Sequence, residues 1–154
     1  MPYGARCYLY RTTVFGRVAT AELAAASDVL FVHDVQVMRQ QVGYLRYCFV
    51  PDGSRTPTRF HCEPDESLRR ASADGERAAI LARLRPSFTS TRFGDAGYAQ
   101  LSATTPWEIR AGASGGSEMG AFGNLHQARR ITRLREALDE YLRYGLDAGV
   151  FTAT

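Results

Sequence analysis

The apolar positions of this chain change their period along its length. Over the first fifty residues they come in short runs, Thr12-Thr13-Val14-Phe15, Val29-Leu30-Phe31-Val32 and Tyr44 to Val50. These runs are rich in β-branched and aromatic side chains, the composition of strands. Val18 with Thr20, and Val35 with Val37, alternate with period two, so one face of each run points to an interior. Phe15, Phe31 and Tyr47 recur at equal spacings of sixteen residues. A solenoid that stacks the three rings in one inward column meets that spacing, and so does an antiparallel meander. Residues 19–26, ATAELAAA, have helical propensity. A coil is expected there nonetheless, because small residues at stacked inward positions let packing outweigh local preference.

Residues 51–74 are polar and turn-rich, with three prolines and the pair Asp52-Gly53, and read as a loop or extended excursion. A short helix should open at Asp74, bury Ala79, Ile80 and Leu84 on one face and stop before Pro86. Residues 88–101 return to strand character around Gly94-Asp95, and residues 111–120 hold four glycines, the mark of a flexible loop. Ile131, Leu134, Leu138, Tyr141 and Leu142 fall at helical spacing, predicting an amphipathic helix over about 128–144. Gly145 is placed to end it, and Val150-Phe151 should dock back on the core. The expected organisation is therefore coils over 1–50, an excursion over 51–74 and an α/β C-terminal cap over 75–154.

Composition narrows the classes. At 154 residues with 45% hydrophobic content, the chain can bury a core without staples. All 19 basic residues are arginine and the net charge is only +3. The arginines are interspersed with acids, as in Arg133-Leu134-Arg135-Glu136, and not gathered in a stripe. Nucleic acid is thus an unlikely partner, although arginine suits phosphates and carboxylates. Cys7, Cys48 and Cys62 are an odd set, expected as free thiols. No apolar run approaches the roughly 18–20 residues of a membrane span, and residues 1–20 lack an apolar signal core. The chain is expected to be cytoplasmic when made.

Four segments together resemble one family. They are Thr13 to Val18 with Ala26-Ser27-Asp28 and Leu30-Phe31; Gln41-Val42-Gly43 through Arg46, then Val50 to Pro57, Arg59, Cys62 and Pro64-Asp65; Phe88-Thr89-Ser90, Arg92 to Tyr98 and Gln100-Leu101-Ser102; and Glu108-Ile109-Arg110, Gly116 to Phe122 and Leu134 to Phe151. The chain is similar to the C-terminal part of large bacterial right-handed, pectate-lyase-like β-helix proteins encoded beside baseplate genes of phage-tail-like, contractile injection systems. Tyr44 stands where the family has a cysteine and Ala128 where it has a proline. The resemblance implies a mainly β fold with α. A short right-handed parallel β-helix of two to three coils would be followed by a loop-rich segment and a C-terminal amphipathic helix. It also implies a structural module of a particle, with baseplate-type proteins as partners.

Chemistry adds no reaction. His33-Asp34 near Asp28 could form an acidic patch, but glycoside hydrolysis needs two carboxylates at a defined separation, and nothing fixes such a pair. His61-Cys62 with Cys48 and Cys7 could hold zinc, yet no C-x-x-C pair exists, and buried cysteines in stacked coils fit better. No catalytic residue, cofactor or metal is expected. Gly53, Ser54, Arg55 and Pro57 should form a structural loop, with Arg55 binding carbonyls or a carboxylate. Cys7, Tyr8, Leu9 and Tyr10 are the expected contact for homo-oligomer formation through the N-terminal end, since open strand edges pair with other chains. The alternative function is a carbohydrate-binding or carbohydrate-cleaving β-helix.

Overall fold

The computed structural model describes residues 3–95, 97–125, 135–146 and 149. Eight short strands form its first half: Cys7–Tyr10 (β1), Thr13–Val14 (β2), Val18–Thr20 (β3), Leu23–Ser27 (β4), Leu30–Phe31 (β5), Val35–Val37 (β6), Tyr44–Arg46 (β7) and Thr58–Phe60 (β8). Every pairing between them is parallel. Sheet 1 has the order β1-β4-β7-β8, sheet 2 is β2-β5 and sheet 3 is β3-β6. The chain visits the sheets in rotation, which makes a β-solenoid; the four strands of sheet 1 bound three turns.

The turns are unequal. Tyr10, Ser27, Arg46 and Phe60 are register partners in sheet 1, so successive turns take 17, 19 and 14 residues. The sixteen-residue aromatic spacing therefore does not mark a column. Phe31 is fully buried inside, and Phe15 lies against Phe88 and Tyr98 on the flank. Tyr47 stacks on His61 at a corner. The coils repeat by backbone register, which tolerates insertions at the corners.

That corner is the same in every turn. Arg11 (φ 45°), Asp28 (φ 58°), Tyr47 (φ 52°) and His61 (φ 47°) each follow a register partner of sheet 1 in the left-handed region, which is uncommon for residues with a Cβ. The first three amides donate to the next coil at Ser27, Arg46 and Phe60 carbonyls, at 3.0, 3.1 and 3.0 Å. A continuous ladder around the bend offsets the local strain. A second constraint comes from the bulge between Cys7 and Tyr8 against β4. Gly43 (φ 96°) lies against the β4 backbone, where a Cβ would come 1.9 Å from the Leu23 carbonyl oxygen.

Two apolar cores result. Leu23, Ala26, Val29, Phe31, Val35, Leu45, Cys48, Val50 and Cys62 fill the solenoid, with Cys7 and Leu9 packed against them. Leu30 and Phe49, on the alternate positions of sheet 2, face outward and are nonetheless buried, by Leu84, Leu101, Ile109, Ala113 and Met119. A strand covered on both faces reads as a continuous apolar run, which is why Val29 to Val32 shows no alternation.

The segment 51–74 is not an excursion. Arg55 bridges Gln36, β8 joins β7, and Glu63 bridges Phe49, so the solenoid runs on beyond residue 50 to Pro64. The turn-rich composition fits because the pairing segments are short, one strand of three residues and single bridges at Arg55 and Glu63. Helices Asp65–Arg70 (α1) and Asp74–Arg83 (α2) follow. In α2 Leu84, just past its end, is buried, Ile80 is half-buried and Ala79 is exposed. Residues 88–101 form two isolated bridges, Phe88 with Leu101 and Ser90 with Tyr98. After the short helix Trp107–Arg110 (α3), residues 111–120 are anchored and not loose: Ala113, Glu118, Met119 and Gly120 are buried. The C-terminal segment thus covers the flank at sheet 2. Residues 135–141 are helical, with Leu138 half-buried; Ile131, Leu134, Val150 and Phe151 lie outside the described residues.

Candidate functional site

Sheet 1 carries the most distinctive surface. In β1 the side chains alternate: Cys7 and Leu9 turn to the interior, while Tyr8 and Tyr10 are 56% and 55% exposed. Their register places Tyr8 beside Ala25, and Tyr10 beside Ser27, Arg46 and then Phe60 across the sheet. Tyr44, two positions before Arg46, is also exposed. Ala25 and Ser27 are small and buried, so they form a shallow floor between aromatic ridges. Arg46 donates from Nε to Ser27 Oγ at 3.1 Å, and the Arg6 guanidinium lies 5.4 Å from the Tyr8 ring centre. Glu22 at the margin is held by Arg39 at 2.5 Å and Arg6 at 3.5 Å.

Among the described residues β1 is also an edge strand. Cys7 and Arg11 direct their amides to Glu22 and Ser27 carbonyls at 2.8 and 3.0 Å. Neighbouring groups in a parallel ladder point to alternate sides, so the amides and carbonyls of Tyr8 and Tyr10 face away from β4, and the Tyr10 carbonyl accepts Thr12 Oγ1 at 2.8 Å. Of the four residues expected to form a contact, Tyr8 and Tyr10 stand on the surface, and Cys7 and Leu9 belong to the core.

The loop of Gly53, Ser54, Arg55 and Pro57 is bonded to the preceding coil by its backbone and Ser54, and not by the Arg55 side chain. Ser54 Oγ accepts the Val35 amide at 3.1 Å, Arg55 donates its amide to Val35 and accepts that of Val37, both at 2.8 Å, and Pro57 is buried. The Arg55 side chain is exposed. Arg59 holds the loop instead: its guanidinium donates to the Ser54 carbonyl at 2.8 Å, Thr56 Oγ1 at 2.7 Å and Asp65 at 3.2 and 3.3 Å. Only the return of β8 to sheet 1 brings Arg59 there.

Asp28 and Asp34, the candidate acidic patch, take different partners. Asp34 pairs with Arg17 of the preceding coil at 2.9 Å. Asp28 is buried at its corner and accepts the Ser114 amide at 2.6 Å, Ser114 Oγ at 3.1 Å and Ser27 Oγ at 2.9 Å. It latches the C-terminal segment to the solenoid, a role its sequence context did not signal. Glu118, in the same segment, is buried with Oε1 unpartnered among the described residues, and burial pushes its carboxyl above the usual range. Burial likewise raises Glu63, whereas the hydrogen bond from Arg83 holds Glu108 low.

Cys48 and Cys62 are buried in adjacent turns. Each thiol donates to a corner carbonyl, Cys48 to Arg46 at 3.1 Å and Cys62 to Phe60 at 3.4 Å. Interaction with Cys62, followed by burial, raises Cys48 far above an ordinary thiol, and interaction with Cys48 lowers Cys62. His61 is exposed at its corner, and among the described residues no group of three or more His, Cys, Asp and Glu side chains is placed to hold a metal ion. A cleft of about 610 Å³ opens between the later coils and the end of α2, floored by Phe49, Pro51, Pro64 and Leu84, with His33, Asp52 and Arg85 around it. Among the described residues no helix is long and apolar enough to cross a membrane. Comparison with protein-family models, curated proteins and solved structures finds no match.

Proposed function

We propose that this chain is a non-enzymatic structural and interaction module that docks protein partners, a second copy of itself included, through the outward edge of β1. The supporting observation is the coincidence at Tyr8 and Tyr10 of exposed aromatic side chains and outward-facing backbone groups. Edges of this kind accept another strand, and tyrosine supplies contact area at low entropic cost. The resemblance supplies the setting: a phage-tail-like, contractile injection particle with baseplate-type partners. The test is light scattering over a wide concentration range, comparing the parent chain with a Tyr8→Asp, Tyr10→Asp variant. Concentration-dependent growth in the parent and a monomeric variant are expected. A parent that stays monomeric throughout rejects self-association, and unchanged assembly in the variant rejects this edge.

A second reading has its own support. Tyr8, Tyr10, Tyr44 and Phe60 share the outer face of sheet 1 with Arg46, an aromatic and hydrogen-bonding surface suited to a glycan. Binding is favoured over cleavage, because the Glu22 carboxylate at this face is paired with Arg6 and Arg39, and hydrolysis needs two carboxylates. A polysaccharide panel scored for retention and for cleavage tests it: retention lost in Phe60→Ala supports the reading, and no retention rejects it.

A further inference from the structure

Cys48 and Cys62 each follow a left-handed corner residue, Tyr47 and His61. Each also precedes by one residue the bridged pair Phe49 and Glu63, and the Glu63 amide donates to the Cys48 carbonyl at 2.9 Å. In-register neighbours on adjacent strands lie about 4.8 Å apart, within the roughly 4.4–6.8 Å between Cα atoms that a disulfide spans. Both side chains enter the same interior, 0% and 1% exposed, and the two thiols donate to equivalent corner carbonyls, Cys48 to Arg46 at 3.1 Å and Cys62 to Phe60 at 3.4 Å. We propose that Cys48 and Cys62 form a redox pair that closes to an intrachain disulfide, stapling the last two passages of the solenoid together.

The oxidant is a low-molecular-weight disulfide such as oxidised glutathione. Cys62 is the attacking group, because it follows the edge strand β8 and is reached first when that edge opens. Its sulfur bonds to one glutathione sulfur, the glutathione S–S bond breaks, and a glutathione thiolate leaves and takes up a proton. Cys48 then loses its proton, attacks the Cys62 sulfur of the mixed disulfide and displaces the second glutathione thiolate, which is protonated in turn. Two protein thiols give up two electrons and two protons, and one disulfide becomes two glutathione thiols. Access comes from the edge: β8 is the last strand of sheet 1, and its transient opening uncovers Cys62 without unfolding the coils before it.

The test is incubation of the full, folded chain with oxidised glutathione, followed by digestion without reduction and mass mapping. The expected product is a peptide pair joined through Cys48 and Cys62. Its cross-link limits the unfolded chain and so raises the thermal midpoint until dithiothreitol reverses it. Cys7→Ser should give the same link in the same yield, and Cys62→Ser should abolish both link and shift. No link under native conditions, a link that appears only after denaturation, a link through Cys7, or a link that lowers the midpoint would each overturn the assignment.

Discussion

Asp28 combines a left-handed backbone, φ 58°, with a buried carboxylate that accepts three hydrogen bonds. Asp28→Ala leaves the Ser114 amide without its partner and gives a residue less suited to the left-handed corner. A loss of about 2–4 kcal/mol is expected, measured by urea unfolding, together with faster proteolysis in 111–125. Asp28→Asn keeps the tolerance for that conformation and should lose less. Glu118 predicts a pH effect of defined sign. Burial raises its carboxyl above 4.5, so the folded state favours the protonated form. Its contribution to stability is full below the unfolded value and is lost as pH rises through the folded one. Glu118→Gln should therefore raise the thermal midpoint at pH 7, with the gain shrinking as pH falls towards 4.5. Glu108 behaves oppositely: its bond with Arg83 lowers the carboxyl, and that contribution disappears as pH falls through the folded value.

Elements here are stabilised by neighbours more than by their own length. Strands of two to five residues are marginal alone, and each persists because the next coil completes its ladder. Gly43 shows how little room this leaves. Gly43→Ala would force a Cβ to 1.9 Å from the Leu23 carbonyl at a positive φ, and a loss above about 3 kcal/mol is expected from chemical unfolding. The helix α2 is held mainly at its C-terminal end, through Ile80 and the following Leu84. Leu84→Ala should cost about 2–5 kcal/mol, while changes at exposed Ala79 should stay within about half a kcal/mol. Amide exchange should then show α2 opening before the interior strands.

For the whole molecule, the two cores share sheet 2 as a wall: Val29 and Phe31 face one, Leu30 and Phe49 the other. Loosening the C-terminal segment therefore exposes Leu30 and Phe49 without emptying the solenoid. A partner that pairs with the β1 edge binds only the folded chain, so self-association should raise the thermal midpoint with protein concentration. The Tyr8→Asp, Tyr10→Asp variant should lose that dependence. Differential scanning calorimetry across a wide concentration range reads both results, and a midpoint independent of concentration in the parent argues against association at that edge.

The sequence by itself determined that the first half is built of short strands. Short β-branched runs and period-two pairs such as Val35 and Val37 specify strands, because those preferences act within a few residues. Their stacking into a solenoid and not a meander, and the extended form of 23–26 against its helical propensity, were decided by packing. The helix signals at Asp74 and before Pro86 were equally local. The tertiary structure alone decided the register. Turns of 17, 19 and 14 residues carry no fixed period, so the even spacing of Phe15, Phe31 and Tyr47 pointed to a column that does not form. It also decided that 51–64 completes the solenoid, that Arg59 and not Arg55 clamps the loop, and that Leu9 packs inward while Tyr8 and Tyr10 face out beside Tyr44 and Phe60. Each of these depends on backbone pairing between residues far apart in the chain, where a shift of one residue reverses every side chain.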